Sequence, residues 1–128
     1  CRGDLQIEGV DVFETYAPVV QWSTVRLMLM LTMLLGLATM QADVTAEFLH
    51  APIKEDVYVA IPRGFPRAGK VLKLRGSLYG LRQSPKNFFE HLRDQLTHPS
   101  VGFVQITADP CLFIIPEVIL ICYVDDIL

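Results

Sequence analysis

Two aspartates, Asp125 and Asp126, stand directly behind an apolar run, Ile119–Val124. A strand that is apolar on both faces is buried. Ending it with two carboxylates is costly unless solvent or a cation compensates. A third acid, Asp43, ends another short apolar segment, MQADV. Two such strands side by side, delivering their acids at the same end, would make a cluster of three carboxylates. Close carboxylates raise one another's pKa unless divalent cations neutralise them. Hard oxygen ligands suit Mg²⁺, which takes one or two carboxylates plus substrate phosphates. Two such ions about 3.5–4 Å apart clamp an in-line phosphoryl or nucleotidyl transfer. Neighbouring strand residues point to opposite faces, so Asp125 and Asp126 are not equivalent. One faces Asp43 and the other is auxiliary or bound differently. Taken alone, the doublet reads equally well as an Asp-Asp turn after a strand.

These acids need elements to carry them. Met40–Val44 is expected to be a short strand, and Val118–Val124 a strand ending in the doublet. Val57–Ile61, VYVAI, is β-branched and aromatic, hence another strand. Pro62-Arg63-Gly64-Phe65-Pro66 breaks it. Val71–Arg75 alternates with period two, as a half-buried strand does. Cys111–Ile115 is a further strand, with Pro116-Glu117 as the turn into the last one. Ser23 or Thr24 can cap a helix running to Ala38. Met and Leu fill most of its positions, which predicts a core helix covered on most sides, with Gly36 weakening its end. Ser84-Pro85 starts a second helix, Ser as N-cap and Pro in the first turn. Phe88, Phe89, Leu92 and Leu96 form its apolar stripe, and it ends near Thr97. Asp109, before Pro110, reads as a turn residue outside the site. Strands and helices mix without a βαβ rhythm, which favours an α+β fold.

Bulk properties narrow the field. Of 128 residues, 52% are hydrophobic and 20% charged, which excludes a disordered tail or a low-complexity linker. The net charge is −3, yet Arg63–Arg93 carries eight basic residues against Glu90 alone. That local +7 leaves −10 for the rest. Such asymmetry suits an anionic partner for the middle third, or else a solvated basic face. Cys1, Cys111 and Cys122 are odd in number and form no CxxC. They read as buried reduced thiols of a cytosolic or nuclear protein, not as a disulfide frame or zinc site. His50, His91 and His98 lack metal-ligand spacing. Leu27–Ala42 carries no charge but is shorter than the roughly 18–20 residues a membrane span needs.

Six segments together go further. They are FETYAPVV at Phe13–Val20, DVTAEFLH at Asp43–His50, VYVAIPRGFP at Val57–Pro66, SLYGLRQSP at Ser77–Pro85, DPCLF at Asp109–Phe113 and YVDD at Tyr123–Asp126. In this order, over nearly the whole chain, they resemble the reverse transcriptase of copia-type LTR retrotransposons. The resemblance implies a right-hand polymerase. Residues 1–128 would form one partial domain, with part of the fingers and most of the palm. Its mixed or antiparallel sheet with packed helices would be truncated at the catalytic Asp-Asp hairpin, without thumb or RNase H domain. It also implies RNA-directed DNA polymerase activity by two-metal nucleotidyl transfer from a dNTP to a primer 3′-OH.

Residue roles follow from the same resemblance. Asp43 and Asp125 match the two main catalytic acids that bind two Mg²⁺ ions, with Mn²⁺ as a substitute. Asp126 matches the third acid, with a lesser role. Phe48 matches the aromatic under the incoming sugar that disfavours a ribose 2′-OH. Tyr79 and Gly80 match the nucleotide-pocket segment, and Tyr123 the residue beside the primer terminus. Gln83, Ser84 and Pro85 match the template-facing turn, with Arg82 and Lys86 near the nucleic-acid backbone. The implied partners are an RNA or DNA template–primer and dNTPs, with an integrase upstream and an RNase H downstream in a polyprotein. The implied location is a cytoplasmic virus-like particle or the nucleus, without a membrane.

Two departures bear on activity. Glu47 stands where the family usually has a small residue, and Ala51-Pro52 replaces a frequent Gly. Glu47 is expected to point at the triphosphate or a metal, or else to face solvent. A catalytically dead relic that keeps the fold and nucleic-acid binding is the alternative reading. The strand after the Asp-Asp turn is expected to be missing, leaving an unpaired edge. The piece alone is then expected to be inactive and aggregation-prone.

Overall fold

The computed structural model describes residues 1–62, 64–65 and 69–128. Arg63 and Arg67 of the basic segment, and Pro66 of the breaker, lie outside the described residues. The elements in order are α1 (Trp22–Leu35), β1 (Ala42–Asp43), α2 (Glu47–His50), β2 (Tyr58–Ala60), β3 (Val71–Lys73), α3 (Ser84–Leu96), β4 (Val104–Ile106), β5 (Asp109–Ile115), β6 (Val118–Tyr123) and β7 (Asp126–Ile127). This is the expected α+β mixture of helices with antiparallel strands. The described residues gather into two compact units. One is Cys1–Tyr16 with Ala46–His91, and the other is Ala17–Thr45 with Leu92–Leu128.

The second unit holds a five-stranded antiparallel sheet in the order β1-β7-β6-β5-β4. Its strands are joined by tight turns wherever the chain supplies turn chemistry. Ile115 pairs with Val118 across the two-residue Pro116-Glu117 loop, where Glu117 takes φ 72°. Tyr123 pairs with Asp126 across Val124-Asp125, where Val124 takes φ 57°. Pro116 followed by a positive φ at Glu117 alone is the type II pattern, whereas a positive φ at Val124 alone, the first loop position, is the II′ pattern common in hairpins. The strand expected to be missing after the doublet is therefore present. β7 is paired on both sides, to β6 and to β1, and Leu128 continues the ladder to Ile121. Cys111, Phe113, Ile121 and Cys122 are buried in this sheet.

Helix α1 departs from expectation. It begins one residue before Ser23, with Gln21 rather than Ser23 or Thr24 as its N-cap, and it ends at Leu35. Gly36 closes it with φ 64°, and Leu37 N–H bonds Thr32 C=O, the αL ending that a side chain would strain. None of its residues is buried, so the core-helix expectation is corrected. Met33 is 85% exposed and Leu34 76%. An apolar groove of about 620 Å³ runs between Met28, Leu29 and Leu35 of α1 and Ile114, Ile119 and Ile121 of the sheet. An all-round apolar helix needs partners on every side, and only one side finds any in this sheet.

In the first unit, β2 and β3 form a two-stranded antiparallel ribbon. β3 is exposed at all three positions rather than half-buried. The helix predicted from Ser84-Pro85 is observed as α3, but Ser84 is not its cap. Ser84 is the first helical residue, and its hydroxyl donates to Leu78 C=O at 2.7 Å. Ser84, Asn87 and Phe88 are the buried residues of α3.

Candidate active site

The strand register places the three acids. In β1–β7, Asp43 lies directly opposite Asp126, and Val44 N–H bonds Asp125 C=O at 3.1 Å. Directly opposed residues of an antiparallel pair share a face, with Cβ atoms about 4.5–5.5 Å apart. Tyr123, opposed to Asp126 across the hairpin, shares that face. The residue that faces Asp43 is thus Asp126, and Asp125 sits in the turn. Asp43 and Asp126 are exposed and Asp125 is half-buried. Gln41 Nε2 donates to Asp126 Oδ1 at 3.3 Å. Among the described residues, no three or more His, Cys, Asp or Glu side chains are gathered closely enough to hold a metal ion. Carboxylate oxygens are the hard donors that a Mg²⁺ ion takes, and Asp43 and Asp126 present theirs at the surface. The Val124 φ of 57° is strained for a β-branched residue and fixes the turn that presents the doublet.

The other site residues belong to the first unit. Phe48 in α2 packs on Tyr79 with ring centroids 4.8 Å apart, and edge-on to Phe88 at 6.3 Å. Tyr79 donates its hydroxyl to Glu47 Oε2, and Glu47 is only 6% exposed. Glu47 therefore does not face solvent, which was one of the two orientations expected of it. Ala46, in the left-handed region at φ 56°, turns the chain so that Glu47 points inward. Gly80 at φ 87° makes the turn after Tyr79, and Leu81 behind it is buried.

The template-facing turn is mostly inward-facing. Gln83 has no exposed surface; its Nε2 donates to Asp11 C=O at 3.0 Å and its Oε1 accepts from Gln6 Nε2 at 2.9 Å. Ser84 is likewise buried, and Pro85 is half-buried. Their side chains shape the turn, and buried amides must be bonded in this way. Arg82 is exposed beside them. Lys86 pairs with Glu14 at 2.6 Å, and that carboxylate holds its ammonium pKa above the ordinary range. Lys73 pairs with Asp56 at 2.6 Å and Arg93 with Asp94 at 2.7 Å, so part of the +7 segment is compensated locally.

One structural acid escaped the sequence reading. Asp109 is buried, not a plain turn residue. It accepts from Thr24 Oγ1 at 2.6 Å, from Gln21 N–H at 3.0 Å and from Cys111 N–H at 3.0 Å. It thus caps α1 from 88 residues away. The only sequence signal was an Asp two positions before an amide it could bond, which every Asx turn shares.

The chain matches the family described as reverse transcriptase (RNA-dependent DNA polymerase) over residues 1–128. It belongs to that family. A retrovirus-related Pol polyprotein from transposon TNT 1-94 of Nicotiana tabacum is 36% identical over 99% of the chain and 10% of its own length. The corresponding polyprotein from transposon RE1 of Arabidopsis thaliana is 36% identical over 99% of the chain and 9% of its own length. The transposon Ty1-H Gag-Pol polyprotein of Saccharomyces cerevisiae is 32% identical over 99% of the chain and 7% of its own length. This reverse transcriptase segment therefore spans about a tenth, or less, of the polyproteins it resembles. The relatives bear out the copia-type resemblance. No solved structure matches the segment significantly.

Proposed function

We propose that this segment contributes the catalytic acids and part of the nucleotide pocket of an RNA-directed DNA polymerase. The carrying observation is the β1–β7 register, which brings Asp43 opposite Asp126 with Asp125 adjoining. Asp43, Asp125 and Asp126 would hold two Mg²⁺ ions, whose chemistry when bound is to lower the pKa of a primer 3′-OH and neutralise the triphosphate. Tyr123 shares the face of Asp43 and Asp126 and would lie beside the primer terminus. Phe48, five residues after Asp43, would stand under the incoming sugar, with Tyr79 and Gly80 completing the pocket wall. Arg82 is the exposed cation of the turn and would meet a template phosphate. Gln83, Ser84 and Pro85 would act through the shape of that turn. Template–primer and dNTPs are the proposed substrates. The proposed setting is a polyprotein with integrase and RNase H parts, in a virus-like particle or the nucleus.

The test is primer extension on an RNA template with dNTPs and Mg²⁺. The segment is assayed in its polyprotein context, with Asp125→Asn as the blank. The expected result is incorporation above the blank. A folded, template-binding protein that incorporates nothing would instead be a relic that keeps the fold and the binding alone.

A further inference from the structure

The stretch before Phe13 carries none of the site residues, yet it closes on the turn at Gly80–Gln83. A Cβ built on Gly3 would stand 2.2 Å from the Gly80 carbonyl oxygen, so the two backbones meet with no room for a side chain. Gln6 completes the contact. Its Oε1 accepts from the backbone N–H of Arg82 at 2.9 Å, and its Nε2 donates to Oε1 of Gln83 at 2.9 Å. One amide thus holds two successive residues, through the main chain of the first and the side chain of the second. Gln83 has no exposed surface, and its own Nε2 is fixed on Asp11 C=O at 3.0 Å. Asp11 is in turn folded back on its own stretch: its N–H bonds Ile7 C=O, and its Oδ2 accepts from Ile7 N–H. Both ends of the Gln6 amide and both ends of the Gln83 amide are therefore engaged. Neither can rotate without breaking two bonds.

The hold delivers Arg82. Its side chain is exposed and forms no ion pair among the described residues, whereas Lys73, Lys86 and Arg93 each face a carboxylate. An arginine on a loose turn must order both its backbone and its side chain when it meets an anion. On a held turn only the side chain remains to be ordered, so the contact is stronger. We propose that Gln6 is a positioning residue that fixes the Arg82-Gln83 turn and so aims Arg82 at a phosphate of the template–primer. This rests on the polymerase reading above.

A double-mutant cycle on template–primer affinity tests it. The protein is taken in its polyprotein context, without dNTPs. The probe is labelled oligo(dT) annealed to poly(rA), and Kd is measured over a series of KCl concentrations. Arg82→Gln removes the cation. It should weaken binding about tenfold, the equivalent of one hydrogen bond to a charged group. It should also lower the slope of log Kd against log salt by about one, the share of one phosphate. Gln6→Met keeps the side-chain length and removes both bonds, and it should lower the slope by the same amount. The double variant should bind within about twofold of Arg82→Gln alone, because Gln6 acts only through Arg82. A role in stability alone would leave the slope unchanged and let the two losses add. A second measurement needs no variant to fold: the Arg82 amide of the wild type should exchange with solvent deuterium at least about tenfold more slowly than in an open chain.

Exchange of that amide at the open-chain rate overturns the hold itself. A normal Arg82→Gln effect beside a wild-type slope in Gln6→Met, or beside additive losses in the double variant, overturns the role of Gln6 alone. An Arg82→Gln variant with unchanged Kd and slope removes Arg82 from the phosphate contacts, and the proposal with it. A wild type that does not bind the template–primer sinks the polymerase reading as a whole.

Discussion

Replacing Asp109 with Asn tests how the second unit is tied together. The carboxylate is 2% exposed and takes three hydrogen bonds. Oδ2 receives Thr24 Oγ1 and Gln21 N–H, and Oδ1 receives Cys111 N–H. Asn retains one acceptor oxygen and sets an NH₂ group against the remaining donors. Kept at Oδ1, the oxygen satisfies Cys111 and loses the two bonds at the start of α1. Each bond to a charged group contributes about 1.5 kcal/mol or more, so the substitution should cost about 3 kcal/mol. Against a total stability of roughly 5–15 kcal/mol, that is a large loss. The pH dependence adds a second signature. Burial alone pushes the Asp109 carboxyl up, but the Thr24 hydroxyl and the N–H groups of Gln21 and Cys111 outweigh it and hold it below its ordinary 3.8. A depressed carboxyl contributes its stability in full above the ordinary value and loses it as pH falls through the folded value. The Asn variant should lack that acid-side loss. The assay is urea unfolding followed by far-UV circular dichroism at pH 7 and at stepwise lower pH. A variant within about 0.5 kcal/mol of the wild type, or with the same acid dependence, would refute the capping argument.

Three further outcomes are expected. Val124→Asn should raise the urea midpoint by about 1 kcal/mol equivalent, because Asn tolerates the positive φ that strains valine; an unchanged or lower midpoint counts against strain in that turn. Burial pushes the Cys111 thiol up to about 11 and the Cys122 thiol up to about 12, while Cys1, expected to be buried like them, is exposed because no apolar run surrounds it. At pH 8 a disulfide reagent should therefore titrate one thiol in the native chain and three in denaturant, and fast reaction of all three natively would contradict the burial. Met33→Lys and Leu34→Glu should reduce binding of an apolar dye such as ANS while changing stability by less than about 0.5 kcal/mol, since both residues are largely exposed; unchanged dye binding would place the apolar surface elsewhere.

Much of this protein was legible from its residues alone. Short-range rules sufficed wherever the deciding physics is local. The two-residue Pro116-Glu117 turn and the existence of a helix from Ser84-Pro85 depend on neighbours a few positions away, although Ser84 proved to be its first residue and not its cap. The family, too, is written in ordered motifs that span the chain, and the reverse transcriptase match bears it out. What the residues could not disclose are the pairings between distant positions. That Asp126, not Asp125, lies opposite Asp43 depends on a one-residue choice of register between strands 83 positions apart. A one-residue slip would have exchanged every face. That Asp109 caps α1, and that Ser84 bonds Leu78 instead of its own helix, follow from which buried donors happened to need an acceptor. Apolar content likewise made α1 look like core, yet burial depends on what the rest of the fold brings to each side. Glu47 is the sharpest case. Its type predicted a role toward solvent, metal or phosphate, and only the packing of Phe48, Tyr79 and Phe88 turned it inward to a hydroxyl.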